Sequence, residues 1–142
     1  TIILCILFIL LGFIIGLNIF HKNTNSSNNT YYFLQEGVYS NDELLESNLS
    51  NLKQKRMEYK KNKIYIYVGI TKDIEVAEII MNIYEKNNKT LTLEEKKINS
   101  EELQINIEQF DLLIKKSTAE EEILKIEEVV LANYDEIIKN GE

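Results

Sequence analysis

A short phrase occurs twice between Tyr31 and Asp73, and it limits what this chain can fold into more than any other feature. Phe33-Leu34-Gln35-Glu36-Gly37-Val38-Tyr39-Ser40 is followed by Tyr65-Ile66-Tyr67-Val68-Gly69-Ile70-Thr71-Lys72, with Gly37 and Gly69 32 positions apart (69 − 37). Superposing the glycines pairs Phe33 with Tyr65, Leu34 with Ile66, Val38 with Ile70 and Glu43 with Glu75. Each phrase is rich in the β-branched and aromatic residues that suit a pleated, half-buried surface. Each is expected to end in a glycine turn and to run into a helix, over Asp42–Lys55 and Asp73–Lys86. A repeat near this length is one supersecondary unit used again. Two copies make one small α+β domain and are too few for a solenoid.

Side chains alternate across a strand. Tyr31, Phe33, Gln35, Gly37 and Tyr39 therefore share one face of the first strand. In the second copy Ile64, Ile66, Val68 and Ile70 form a wholly apolar face that should pack on the helices, while Lys63, Tyr65, Tyr67, Gly69 and Thr71 oppose it. Overlaying the copies collects Phe33, Gln35, Tyr65 and Tyr67 on the face away from the helices. Glu36 conflicts with the scheme, because it falls on the core side; a place at the strand end would let its carboxylate reach water. Met57 and Tyr59 mark a short strand between the copies, and Thr90–Ile98 alternates as a fourth. The stripe Leu45, Leu49, Leu52 faces inward from the first helix, and Val76, Ala77, Ile80 and Ile83 or Tyr84 from the second.

From Asn99 onward the period changes to a helical one. Leu103, Ile107, Phe110 and Ile114 recur at steps of four and three, as do Ile123, Ile126, Val130, Tyr134 and Ile137. Thr118-x-x-Glu121 reads as a capping box and Asn140-Gly141 as a stop. Two helices joined at Lys116–Ser117 form a hairpin whose apolar stripes must bury on the preceding domain or on a partner.

At the other end, residues 1–20 contain no charged side chain. A bilayer core needs about 20 apolar residues as helix, so this run is expected to be a transmembrane anchor. A cleaved signal peptide is the rival, but its apolar region is shorter and no A-x-A-like site follows Gly16. The sequence opens on Thr1, and further residues are expected upstream. Charge does not orient the anchor, since Lys22 is a single vote and the preceding flank is unseen. Asn23–Thr30 is polar, uncharged and free of apolar residues, the composition of a flexible tether. The expected organisation is an anchor at 1–21, a linker at 22–30, a domain at 31–98 and a helical hairpin at 99–142.

The doubled phrase resembles the SPOR (sporulation-related repeat) domain family. Strand, Gln-x-Gly, aromatic, then Ser40-Asn41-Asp42 into a helix resembles its first half; Tyr65-Ile66-Tyr67-Val68-Gly69-Ile70 followed by Lys72-Asp73 and Ala77 is similar to its second. The resemblance covers residues 31–98. It implies a βαβ–βαβ sheet of ribonucleoprotein type with helices on one face and glycan contacts on the open face. It also implies noncatalytic binding of peptidoglycan glycan strands lacking stem peptides, and an extracytoplasmic domain tethered to the cell membrane at division or sporulation sites. By motif position, the contacts fall on Gln35 and Tyr65, with Phe33 and Tyr67 as stacking surface and Lys63 alongside. The sequence departs from the family at Glu36, where an apolar residue is usual, at Val38, where a small one is common, and at Tyr65, where some members carry a cation.

Other chemistry finds little support. Past Lys22 the chain carries 15 Lys+Arg against 23 Asp+Glu, the wrong sign for a phosphate backbone. The lone His21 sits at the membrane edge and the lone Cys5 inside the apolar run, so no histidine dyad, thiol chemistry or metal centre is expected, nor any cofactor. Glu94-Glu95 and Glu120-Glu121-Glu122 suit solvated faces and helix starts better than a carboxylate pair for glycoside cleavage. The aromatic face has two uses open to it: a ligand surface, with Gln35 offering donors and acceptors to hydroxyl or acetamido groups, or a seat for the tail hairpin. The rival to glycan binding is an anchored interaction scaffold, recruiting a partner through the tail or through Leu124, Leu131 and Ile138 at heptad spacing.

Overall fold

The computed structural model describes residues 29–40 and 55–141. They fold as an α+β unit of β1 (Thr30–Tyr39), β2 (Arg56–Lys60), β3 (Lys63–Thr71), α1 (Ile74–Lys86), β4 (Thr92–Lys97), α2 (Glu101–Lys116) and α3 (Glu120–Gly141). The strands form one antiparallel sheet in the order β2-β3-β1-β4. The anchor expected at 1–21, most of the linker at 22–30 and nearly all of the helix expected over Asp42–Lys55 fall outside the described residues. Among the described residues no helix is long and apolar enough to cross a membrane.

Neither glycine of the doubled phrase makes a turn. Both lie inside strands, and no glycine among the described residues has a positive φ. Their role is visible in the register of β1 on β3. Leu34 stands opposite Gly69, Gln35 opposite Tyr67 and Gly37 opposite Ile66, so Val68 and Glu36 are each passed over. Each strand thus holds an extra residue directly before its glycine, at the same place in the repeat. An extra residue of this kind kinks the strand and reverses the phase of alternation beyond it. Ile64, Ile66 and Val68 accordingly share one core, but Ile70 is buried in the other, beside Tyr67, which corrects the single apolar face expected from strict alternation. Glu36 is also explained: at the irregularity its carboxylate accepts a 2.7 Å hydrogen bond from the Tyr39 hydroxyl and lies 3.6 Å from Lys89. The Tyr39 ring folds back over Gly37, where a Cβ would stand 2.9 Å from the phenolic oxygen. The true turn is Lys61-Asn62, with φ of 49° and 61°, the left-handed pair of a two-residue hairpin.

On one face of the sheet, α1 packs Val76, Ala77, Ile80, Ile83 and Tyr84 against Leu34, Ile64, Ile66 and Val68. It begins where expected, next to Asp73, whose side chain caps it by accepting from the Glu75 amide at 2.9 Å. On the other face, Tyr31, Phe33, Tyr67 and Ile70 lie under Leu103 and Ile107 of α2 and Val130, Leu131 and Tyr134 of α3. Helices therefore cover both faces, where the resemblance implied one. The apolar stripes of the hairpin must leave water, and the aromatic sheet face is the complementary surface available to them. The bend of the hairpin passes to the α1 side, where Ile114 and Ile123 join the first core.

Two details of the hairpin differ from expectation. The helix α3 begins at Glu120, two residues after Thr118 of the expected capping box, with the Ala119 carbonyl accepting from the Ile123 amide and the Ser117 hydroxyl donating to Glu122. Leu131 is buried, and Leu124 and Ile138 pack against the two cores. The heptad surface proposed for a partner is thus turned inward.

Candidate functional site

Register assigns side chains to the face under the hairpin. Gln35 and Arg56 both oppose Tyr67; Val38 and Glu58 oppose Tyr65; Thr92 opposes Gln35, Glu94 opposes Phe33, and Lys60 opposes Lys63. Phe33, Gln35, Tyr65, Tyr67 and Lys63 therefore do share a face, as the repeat suggested, but its two ends have different fates.

At the covered end Phe33 and Tyr67 are both 0% exposed. Phe33 meets the Tyr67 ring edge-on at 5.4 Å and the Tyr134 ring of α3 at 5.3 Å. Lys96 of β4 places its ammonium 4.3 Å from the centroids of both Phe33 and Tyr67. The Tyr67 hydroxyl donates to Glu94 at 2.5 Å and accepts from Lys96 at 3.2 Å; burial first, and then this bond to a carboxylate, push its pKa well above the usual phenol value. Across the seam Arg56 donates to Asp135 of α3 at 2.5 Å and lies 4.7 Å over the Tyr134 ring. Phe33 and Tyr67 are interior residues beneath the docked hairpin and offer no stacking surface to a ligand, which corrects their expected role.

At the other end Gln35 and Tyr65 are half-buried, Lys63 is exposed and Val38 is 41% exposed. Lys60 sits 5.8 Å over the Tyr65 ring and 2.6 Å from Glu58. Glu58 also accepts from Lys96 at 3.0 Å and from Arg56 at 3.2 Å. Burial alone would raise its pKa, but the hydrogen bonds from Lys60 and Lys96 prevail and hold it down at about 2. This end combines a half-exposed ring, a primary amide and fixed cations. It is suited to holding a polar ligand by hydrogen bonds and ring contact, and the carboxylates beside it are already engaged. Among the described residues, no group of three or more His, Cys, Asp or Glu side chains is placed to hold a metal ion.

Sequence reasoning missed the groups that tie the tail to the sheet. Glu127 of α3 is fully buried, with one oxygen accepting from the Ile70 amide at 3.0 Å. Asp111 of α2 accepts from the Thr71 hydroxyl at 2.7 Å and the Lys72 amide at 3.0 Å. A signal existed in the stripes. The buried stripes run Leu103, Ile107, Asp111, Ile114 and Ile123, Glu127, Val130, Tyr134, with Leu131 buried beside Val130, so each acid takes an apolar place in a four-and-three pattern. Phe110, read as part of the first stripe, is only half-buried.

No family model, curated protein or solved structure matches the chain.

Proposed function

We propose that this chain is a noncatalytic glycan-binding protein of SPOR type. Its domain is a ribonucleoprotein-like βαβ–βαβ sheet, held on the extracytoplasmic side of the cell membrane by the apolar run at 1–21. Peptidoglycan glycan strands at division or sporulation sites are its ligand. The strand order β2-β3-β1-β4 supports the fold reading, since it is the order of a split βαβ arrangement. The observation that carries the functional reading is that Gln35 and Tyr65 share a sheet face at the end the tail leaves open. The site is smaller than the resemblance implied: Gln35 hydrogen-bonds the sugar, Tyr65 supplies ring contact, and Lys63 lines the approach. Binding through so few contacts is weak per molecule, and anchoring many copies in one membrane raises the effective concentration.

The test is co-sedimentation of the full chain, in detergent, with purified sacculi before and after an amidase strips the stem peptides. Pelleting that rises after amidase, and is lost in Gln35→Ala and Tyr65→Ala, is the expected result. No pelleting in either case refutes glycan binding and leaves the interaction scaffold as the reading, with its partner surface still to be sought, because Leu124, Leu131 and Ile138 face inward.

A further inference from the structure

We propose that seating the α2–α3 hairpin on the sheet takes up protons, which makes the tail a pH-responsive cover over the aromatic half of the face. The docking itself is independent of any ligand; its consequence for glycan access rests on the function proposed above.

The geometry is that of two carboxyl groups carried by the hairpin into one short stretch of β3. Glu127 reaches the Ile70 amide with one oxygen, while its other oxygen is buried without a hydrogen-bond partner. Gly69 makes room for it: a Cβ there would stand 2.7 Å from the Glu127 carboxylate. Asp111, 5% exposed, takes the Thr71 hydroxyl and the Lys72 amide on the same stretch. The surrounding groups from each packed element do little to offset the charge on Glu127. From α2 it faces Asp111, from α1 the Tyr84 hydroxyl, and behind Tyr84 stands Glu36 of β1. Burial, reinforced by Asp111, drives the Glu127 pKa well above the carboxylate range, and the Ile70 amide only partly offsets this. Asp111 is raised to about 6 by burial; the bonds from Thr71 and Lys72 lower it, Asp73 raises it and Lys115 lowers it. The Lys72 ammonium itself is engaged by Glu108 at 2.9 Å.

With the hairpin undocked, both carboxyls meet water and return toward their ordinary values of 4.5 and 3.8. The docked state then holds more protons than the undocked one. Docking is strongest below the ordinary carboxylate range and weakens as pH rises through the docked pKa values. One linked proton changes the docking equilibrium by about tenfold per pH unit, and two titrating together by about a hundredfold.

The experiment is hydrogen exchange on the full chain in detergent between pH 4.5 and 8, corrected for intrinsic exchange rates. The Ile70 and α3 amides are expected to lose protection as pH rises, by about tenfold per unit over the linked range, while α1 amides hold theirs. Glu127→Gln, nearly isosteric, should flatten most of the slope and Asp111→Asn the remainder. Equal slopes in wild type and Glu127→Gln, or a parallel loss in α1, would overturn the proposal. A ¹³C titration of the Glu127 carboxyl in the wild-type chain needs no variant: a midpoint near 4.5 also overturns it. Pelleting with amidase-treated sacculi should rise with pH in wild type and stay flat in Glu127→Gln. Flat pelleting in both, with the exchange slopes intact, refutes the glycan reading and leaves proton-linked docking standing.

Discussion

Gly69→Ala tests the packing of the tail on the sheet most directly. The new methyl would stand 2.7 Å from a Glu127 oxygen and 3.1 Å from Leu34 Cδ1. The backbone there is ordinary, since no described glycine has a positive φ, so the cost is steric and not conformational. Overpacking of a tight interior costs about 1–3 kcal/mol. Displacing Glu127 from the Ile70 amide adds about 1 kcal/mol. The smaller entropy of an alanine-containing unfolded chain offsets about 0.4–1 kcal/mol. The expected net loss is about 2 kcal/mol. Urea unfolding of the full chain, followed by far-UV circular dichroism, reads it as a lower midpoint at unchanged slope. A double-mutant cycle assigns the cause. In a Glu127→Ala background the closest contact is gone and only Leu34 crowds the methyl, so the Gly69→Ala loss should shrink to about 0.5 kcal/mol, a coupling of about 1.5 kcal/mol. Equal losses in both backgrounds would refute the idea that Gly69 exists to admit Glu127.

Three further outcomes follow from the described contacts. Asn62→Gly should stabilise the chain by about 0.5–1 kcal/mol in the same urea assay, because Asn62 and Lys61 both hold left-handed backbone in a two-residue hairpin. Glu58 is held down at about 2 against an ordinary 4.5, so its contribution is complete above 4.5 and is lost as pH falls toward 2. Glu58→Gln should therefore flatten that part of a stability-versus-pH curve and leave the neutral region parallel to wild type. Asp73→Ala removes the cap on the Glu75 amide and should cost about 1 kcal/mol, with Asp73→Ser restoring most of it in thermal melts.

The parts of the fold that were legible in the sequence are those where local pattern and tertiary demand agree. The stripe of α1 is legible as Val76, Ala77, Ile80, Ile83 and Tyr84, because the apolar period of the segment agrees with the sheet face it has to cover. The strands of the doubled phrase and the hairpin of the tail were placed for the same reason. Alternation failed at the glycines. An extra residue before each one is invisible to a period-two reading, so Ile70 was assigned to the wrong core while Ile64, Ile66 and Val68 were assigned correctly. The shared face of the candidate site was legible, since Phe33, Gln35, Tyr65 and Tyr67 all lie upstream of the phase change in their own strands. Which half of it stays open was not, because that depends on where a distant hairpin lands. Glu127 and Asp111 were missed because an acid on a helix reads as solvated unless its place in the stripe outweighs its charge.

The two carboxyls on β3 also bear on how copies of this chain behave toward one another. Pairing of β2 with β3 ends at Tyr67, and past it the amides of Ile70, still in the strand, and of Lys72, just beyond its end, are occupied by Glu127 and Asp111. An uncovered strand edge is a template for another chain. The tail therefore also closes this stretch of β3 to a strand from another molecule. A chain truncated before Glu101 would expose the Ile70 and Lys72 amides together with Tyr31, Phe33 and Tyr67, and would assemble edge to edge.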